Sequence, residues 1–250
     1  MYMPRRKLFY NKDLAEFLLH MCVYSYRQFL NNGPVEPVPG FKLVKAFKSS
    51  ANGVMEWFGF ILESDDAVVI AFRGTQSDAD WIADATIRQT PYPYIQNGGL
   101  VHQGFQSIYS QCRDEIFQTY SALSKVKNLF ITGHSLGGAL AVLHAADAAV
   151  NAGFRSIVMY NYGAPRVGDR QFAALYDQLV PNSIRFVNTT DLVPKLPPVF
   201  VYNPMTKLKY FYKHVHTPYS FTIEAGSIAG NHMPDTYFLG IEGLSRLVYV

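Results

Sequence analysis

Cysteine is scarce in this sequence, with Cys22 and Cys112 alone among 250 residues. Two thiols cannot supply a metal site built mainly on cysteine. They also give no indication of the disulfide framework that stabilises small secreted domains. One bridge between the two stays open, but two buried free thiols are the expectation that we favour.

Long apolar runs and a strong charge of one sign are missing as well. No stretch approaches the ~18 uninterrupted apolar residues that suggest a transmembrane helix. The formal net charge is only +3 and the basic residues are scattered, so nucleic acid is not an expected partner. A basic run, Arg5–Lys7, opens the chain, but polar residues from Asn11 to His20 interrupt the apolar segment that a secretory signal needs. We therefore predict no signal peptide within this numbering.

The composition that remains is that of a globular protein, with 49% hydrophobic and 16% charged residues. A chain of this length is expected to form a single domain, residues 1–250. Apolar segments with strand character alternate with segments of helical periodicity in the second half. The segments are strands at Leu129–Thr132, Ile157–Tyr160 and Ile184–Val187, with helices at Leu136–Val150 and near Phe172–Leu179. This alternation predicts an α/β fold whose mostly parallel central sheet carries helices on both faces.

A candidate nucleophile stands between one of these strands and the next helix. The run Gly133-His134-Ser135-Leu136-Gly137 has the G-x-S-x-G pattern, directly after the apolar Leu129-Phe130-Ile131. A strand-to-helix turn this tight needs glycines two residues either side of the serine, and it lifts the hydroxyl above the sheet. It also directs the N–H of Leu136 and the positive end of the helix towards an oxyanion. Ser135 is therefore the predicted nucleophile, and the alternative is an ordinary serine in a glycine-rich turn.

A serine nucleophile needs a base and an acid that orients the base, in the chain order Ser, Asp or Glu, His. His232 lies in the small-residue loop Ala229–His232 and is the favoured base, with His216 as the second candidate. His144 is two turns into the helix after Ser135 and is expected to be structural. His214 and His216 alternate as if on one face of a strand, but no third metal ligand accompanies them.

Asp191 is the favoured acid because it directly follows the strand Ile184–Val187 and the turn Asn188–Thr190. The proline-rich segment Val193–Pro198 after it is stiff and would fix its position. The other two candidates have simpler explanations, since Asp169 resembles a helix cap and Asp177 a solvated helix face.

Taken together, these features resemble the class 3 lipases, the family that includes the triacylglycerol lipases of filamentous fungi. The resemblance runs through most of the chain after Val54, in six blocks that keep the family's order. The blocks are Ala71–Thr75, Asp80–Asp84, Val101–Phe105, Gly133–Gly138, Tyr162–Gly168 and Asp191–Pro198. It implies an α/β-hydrolase fold with Ser135, Asp191 and His232 as the triad. It also implies Thr75 as an oxyanion donor beside Leu136.

The resemblance further implies a short helical lid. Ser77–Ala85 matches the family's lid helix, and the loop to about Asn97 would carry its hinge, so that residues 77–97 form the lid segment. Trp81 and Ile82 would close over an apolar cleft and contact the substrate, although a surface helix with a buried tryptophan would look similar. The segment Lys207–Tyr212 is unusually basic and aromatic for the family, and the sequence assigns it no function.

The predicted function is hydrolysis of lipid esters, as by a triacylglycerol lipase at an oil–water interface, without a metal or cofactor. Esterases of the same fold that act on soluble or feruloyl esters are the nearest alternative, and phospholipid or galactolipid substrates are also open. The alternative from another class is a binding protein on an inactive hydrolase scaffold. The resemblance suggests an extracellular protein, whereas the missing signal peptide does not, and the oligomeric state is left open.

Overall fold

The computed structural model describes residues 11–75, 87–203, 207–216 and 218–244. The strands are β1 Lys42–Ser49, β2 Glu56–Glu63, β3 Ala67–Phe72, β4 Gln89–Pro91, β5 Leu100–His102, β6 Asn128–His134, β7 Ser156–Tyr162, β8 Ser183–Asn188, β9 Phe200–Asn203, β10 Leu208–Phe211 and β11 Pro218–Phe221. The helices are α1 Lys12–Leu30, α2 Gln103–Ser121, α3 Leu136–Asn151, α4 Arg170–Leu179, α5 Ile228–His232 and α6 Pro234–Leu244, with a single 3₁₀ turn at Val193–Lys195.

Seven strands form one sheet in the order β1-β2-β3-β6-β7-β8-β11. β1, β2 and β3 pair antiparallel, whereas every pairing from β3 to β11 is parallel. Parallel strands are buried on both faces, and β3 shows this, because all six of its residues are buried. Val68, Ile70 and Phe72 join the core on one face, while Val69 and Ala71 join the core on the other.

Helices cover both faces of this sheet. α2 and α3 pack on one face through residues such as Phe105, Ile116 and Leu140. α1 and α6 pack on the other, where Leu18 and Ile241 belong to the second core. The mostly parallel sheet between two helical layers that the sequence predicted is therefore confirmed.

The sequence reading was incomplete at the edges of this fold. It did not identify the edge strand β1, the hairpin β9–β10 or the C-terminal helix α6, whose apolar residues lack a long regular period. At the start of α1, Asn11 is the N-cap and its side chain accepts from the N–H of Leu14. Residues 214–216 are not a strand, because His216 has a positive φ of 48°, which interrupts the alternation of side chains.

The whole of the predicted lid helix, Ser77–Ala85, lies outside the described residues, which omit positions 76–86 and with them Trp81 and Ile82. Residues 87–97 of this segment are described, and they pack against the rest of the protein. β4 pairs with β5, and Tyr92 and Ile95 join the core beneath α3. The hydroxyl of Tyr92 donates to the carbonyl oxygen of Leu143 at 2.7 Å.

Cys22 and Cys112 are both free and buried, so the bridge that the sequence left open is not formed. Burial raises the pKa of each thiol to about 12, and neither is a thiolate at neutral pH. Across the part of the chain that the structure describes, no helix is both long enough and apolar enough to cross a bilayer.

Candidate active site

Ser135 stands at the turn between β6 and α3 in a strained backbone conformation. Its φ of 58° and ψ of −127° lie outside the regions that a side chain with a Cβ normally occupies. The two glycines of the motif are required sterically. A Cβ at Gly133 would collide with the backbone of Gly137, and a Cβ at Gly137 would collide with the carbonyl oxygen of Phe72. The local sequence thus permits the tight turn that the motif predicted.

Backbone hydrogen bonds hold this turn in place. The N–H of Ser135 donates to the carbonyl oxygen of Tyr162 in β7, and the carbonyl oxygen of Ser135 accepts from the N–H of Gly138. Leu136 is the first residue of α3, so its N–H belongs to the four at a helix start that no intrahelical carbonyl can satisfy. The hydroxyl oxygen of Ser135 is buried and has no hydrogen-bond partner among the described residues.

Thr75 follows the end of β3, on the strand next to the turn. Phe72 is the register partner of Gly133, and Thr75 comes three residues later. Gly74 packs against the carbonyl oxygen of His134, since a Cβ at position 74 would lie 2.9 Å from it. The chain from Arg73 to Thr75 therefore runs beside the serine turn.

Asp191 and His232, which are 41 positions apart in the sequence, are brought together. Nδ1 of His232 lies 2.6 Å from Oδ2 of Asp191. Because a carboxylate only accepts, Nδ1 carries the hydrogen, and Nε2 is the basic nitrogen. The sequence placed His232 in a loop, but His232 is the last residue of the short helix α5.

The Asp191 carboxylate is buried and fully engaged. Its Oδ1 accepts from the N–H of Val193 at 2.9 Å, and its Oδ2 also accepts from the hydroxyl of Tyr237 at 2.7 Å. Burial and the charge of Asp191 raise the pKa of Tyr237 well above its usual value, which keeps the hydroxyl protonated as a donor. Sequence reasoning missed Tyr237, because it lies in α6 and no motif links it to Asp191.

Asn188 ties the loops that carry these two side chains. Its Nδ2 donates to the carbonyl oxygens of Ile223 and Asn231, at 2.9 and 3.0 Å. Its Oδ1 accepts from the N–H of Ile223 at 3.0 Å. Asn188 is the last residue of β8 and lies three positions before Asp191. It thus fixes the segment before His232 relative to Asp191.

His134 links the serine turn to His232. Its Nε2 lies 2.7 Å from the carbonyl oxygen of His232, and the two rings are 4.5 Å apart between centroids. The carbonyl can only accept, so Nε2 donates and Nδ1 accepts from the hydroxyl of Tyr26 at 2.9 Å. Gly163 closes the site on the β7 side, where a Cβ would lie 2.9 Å from Cε1 of His232.

The remaining histidines discussed for the site lie elsewhere. His144 is buried between the hydroxyls of Tyr109 and Tyr120, at 3.1 and 2.8 Å, and burial lowers its pKa to about 4. Nε2 of His214 donates to the carbonyl oxygen of Pro194, and Nε2 of His216 donates to that of Val180. His216, the second candidate for the base, thus has its own backbone partner. Asp169 caps α4, as the sequence suggested.

The chain is similar to several known proteins. The family model described as lipase (class 3) matches residues 69–201. The secreted mono- and diacylglycerol lipase A of Penicillium camembertii is 37% identical over 157 residues, covering 61% of this chain and 50% of that protein. Phospholipase A1 EG1 of Oryza sativa is 27% identical over 248 residues, covering 81% of this chain and 56% of that protein.

A solved structure of the Rhizomucor miehei triacylglyceride lipase superposes with a TM-score of 0.66 at 25% identity, covering 85% of this chain and 81% of that one. This likeness confirms the α/β-hydrolase fold. The chain spans about half the length of the curated relatives it matches. Because the family model covers more than half of its residues, the chain belongs to the class 3 lipase family.

Proposed function

We propose that the protein is a serine hydrolase that cleaves carboxylic esters of lipids, with Ser135 as nucleophile, His232 as general base and Asp191 as the residue that orients the base. The observation that carries the proposal is the 2.6 Å contact from Nδ1 of His232 to Oδ2 of Asp191, next to a strained serine turn. That contact leaves Nε2 of His232 as the only ring nitrogen able to take a proton.

In the first step, Oγ of Ser135 forms a bond to the ester carbonyl carbon while its proton passes to Nε2 of His232. The carbonyl oxygen becomes an oxyanion, for which the N–H of Leu136 and the N–H and hydroxyl of Thr75 are the proposed donors. One such donor typically contributes about 3–4 kcal/mol to stabilising the transition state. The C–O bond then breaks, His232 returns the proton to the departing alcohol oxygen, and an acyl-serine ester remains.

Water completes the reaction by the same route. His232 takes a proton from water, whose oxygen adds to the acyl carbon, and the bond to Oγ of Ser135 breaks as the proton returns to that oxygen. The fatty acid is released and the serine is restored. Asp191 orients His232 in both steps, and the N–H of Val193 and the hydroxyl of Tyr237 hold its carboxylate in place.

The first test replaces the nucleophile. Ser135→Ala should reduce turnover of p-nitrophenyl butyrate by at least about 10⁴-fold, while near-ultraviolet circular dichroism stays that of the wild type. A fluorophosphonate probe should label the wild type and Ser110→Ala, in which an exposed serine is replaced, but not Ser135→Ala. Labelling that survives in Ser135→Ala would refute Ser135 as nucleophile, and an unlabelled wild type would favour an inactive binding scaffold.

Triacylglycerols are the substrate class that we propose, in keeping with the Rhizomucor miehei relative. The test is initial rate against tributyrin concentration through its solubility limit, with Ser135→Ala as the blank. A rise in rate once droplets form supports a lipase that works at an oil–water interface, and hence a lid that carries Trp81 and Ile82. Simple saturation below the limit would identify an esterase for soluble esters.

Phospholipids are the second candidate class, favoured by the similarity to the rice phospholipase A1. Release of fatty acid from phosphatidylcholine vesicles, measured beside tributyrin at matched ester concentration, separates the two. A phosphatidylcholine rate above the tributyrin rate would assign the protein to phospholipid hydrolysis.

An extracellular site of action is also part of the proposal, since the Penicillium camembertii relative is named as secreted. Activity that depends on Ser135 should then appear in the medium of the native source. Activity confined to washed, lysed cells would contradict it.

A further inference from the structure

The hairpin β9–β10 exposes large apolar side chains. We call residues 199–203 and 207–213 the hairpin surface. Five apolar residues in it are each between 44% and 54% exposed, namely Val199, Phe200, Tyr202, Leu208 and Phe211. Single exposed apolar residues are ordinary, but a group on one small element marks an interaction site.

The two faces of the hairpin differ. Tyr210, opposite Val201 in the register, and the adjacent Tyr212 are buried against the body of the protein. Phe200 and Phe211 are register partners on the outward face, where their rings pair at 5.2 Å between centroids. Cross-strand aromatic pairs stabilise a hairpin. The two outward rings are therefore already ordered before any partner binds.

Hydrogen bonds also fix the hairpin to the body of the protein. The side chain of Gln89 donates to the carbonyl oxygen of Phe211 at 2.8 Å, and the N–H of Lys213 donates to the carbonyl oxygen of Gly168 at 2.8 Å. The segment begins directly after the loop that holds Asp191. Material bound to the outward face would therefore be held at a fixed place relative to the proposed triad.

Positive charge surrounds these rings. Residues 192–223 include four lysines and no aspartate or glutamate. Lys207, Lys209 and Lys213 are exposed, and the guanidinium of Arg170 lies 5.8 Å from the ring centroid of Phe211. Asp169 shares a cleft of about 270 Å³ with Lys209 and Phe211, but its carboxylate caps α4 through the N–H of Phe172.

We propose that the hairpin surface docks the protein on a lipid surface that carries negative charge. Exposed aromatic and aliphatic side chains enter the boundary between headgroups and acyl chains, while lysines beside them attract anionic headgroups. A second copy of this chain fits less well, since two such surfaces would bring like charges together. Single-stranded nucleic acid would use the rings and lysines but gains nothing from Val199 and Leu208.

The experiment measures cosedimentation with vesicles in the Ser135→Ala background, so that no lipid is consumed and the result does not depend on the proposed hydrolysis. Vesicles are phosphatidylcholine alone, or phosphatidylcholine with about one third phosphatidylglycerol. We expect binding to the charged vesicles to exceed binding to the neutral ones by at least about 100-fold at 0.1 M salt and to weaken as salt rises.

Two variants separate the contributions. Lys207→Gln with Lys209→Gln and Lys213→Gln should weaken binding to charged vesicles by about 5-fold per lysine and leave binding to neutral vesicles unchanged. Phe200→Ser with Phe211→Ser should weaken binding to both by at least about 10-fold. The control, Val126→Ser with Arg155→Gln, removes an exposed apolar and an exposed basic residue at the opposite end of the strands and should bind as the parent does.

Vesicle binding that is equal in the parent and both hairpin variants would overturn the proposal. So would tighter binding to single-stranded polyuridylate than to charged vesicles, which would assign the surface to nucleic acid. Each variant is also assayed with Ser135 restored on dissolved p-nitrophenyl butyrate. An unchanged rate there shows that a loss of vesicle binding is not a loss of folding.

Discussion

Gly163 controls the space next to the proposed triad. Its φ is +60°, and a Cβ there would lie 2.9 Å from both Cε1 of His232 and the hydroxyl of Tyr237, and 3.1 Å from Oδ2 of Asp191. These atoms cannot all stay in place beside a methyl group. We expect Gly163→Ala to lower kcat for a dissolved ester by at least about 10²-fold, because displacing a base by about 1 Å has that effect.

Gly153→Ala is the matched control, since Gly153 has a similar φ of +73° but nothing within 4 Å of its added Cβ. Both variants carry the cost of a positive φ, about 1 kcal/mol, and only Gly163→Ala disturbs His232. Steady-state kinetics with urea unfolding of both proteins checks this. Equal kcat values for the two variants would mean that Gly163 does not position the base.

The sequence predicted Ser135, Asp191 and His232 from local signals. For Ser135 the signal is the tight strand-to-helix turn, and for Asp191 and His232 it is their position in polar or small-residue segments after strands. The structure brings the last two into contact, and their catalytic roles stay proposed. Tyr237 and Gly163 could not be predicted in this way. Each acts through a contact across the fold, and neither a tyrosine in a helix nor a glycine after a strand has a local pattern that identifies its distant partner.

Between elements, α2 and α3 are joined by an ion pair between the partly buried Arg113 and the fully buried Asp147. Nε and Nη2 of Arg113 lie 2.6 and 3.1 Å from the two carboxylate oxygens of Asp147, which also accepts from Tyr109 and Asn151. Asp147→Asn removes the buried partner of Arg113 and leaves only the exposed Asp114 beside it, and breaking a buried pair typically costs about 3–5 kcal/mol. We expect the free energy of unfolding to fall by about 3 kcal/mol in urea titrations.

Arg113 supplies its own control, because it also pairs with Asp114, whose side chain is 93% exposed. Asp114→Asn should change the free energy of unfolding by less than about 1 kcal/mol. A similar loss in both variants would show that the buried pair contributes no more than the exposed one.

Element prediction succeeded where burial imposed a regular pattern. β6 and β7 are central strands and α3 lies on the sheet, so their sequences are rich in apolar residues over the length of the element. The hairpin β9–β10 and the strand β11 are short and partly exposed, so their side chains follow local contacts instead. The basic, aromatic composition of residues 207–212 was evident from the sequence, but only the fold shows which of its rings face outwards.

For the molecule as a whole, buried neutral histidines make stability depend on pH. His102 accepts from the N–H groups of Gly104 and Phe105 at the start of α2, and burial lowers its pKa from 6.5 to about 4. The pKa of His144 is lowered to about 4 by burial as well. Between pH 6.5 and pH 4 the unfolded chain binds protons at these positions and the folded chain does not, so the free energy of unfolding falls as pH falls.

Each pKa unit corresponds to about 1.4 kcal/mol, so His102 and His144 together should lower the free energy of unfolding by about 3 kcal/mol from pH 6.5 to pH 5. Burial also lowers the pKa of His214 well below 6.5, so this histidine adds to the fall. This window lies above the pH at which Glu63, whose pKa is lowered by Lys127 and Lys42, would lose its charge. His144→Gln should remove about 1.5 kcal/mol of the fall between pH 6.5 and pH 5, as measured by urea titrations at pH 7, 6 and 5. His20→Gln, at an exposed position, should leave the fall unchanged. A wild-type free energy of unfolding that is flat from pH 7 to pH 5 would contradict this prediction. It would mean that His102 and His144 bind protons in the folded protein although both are buried.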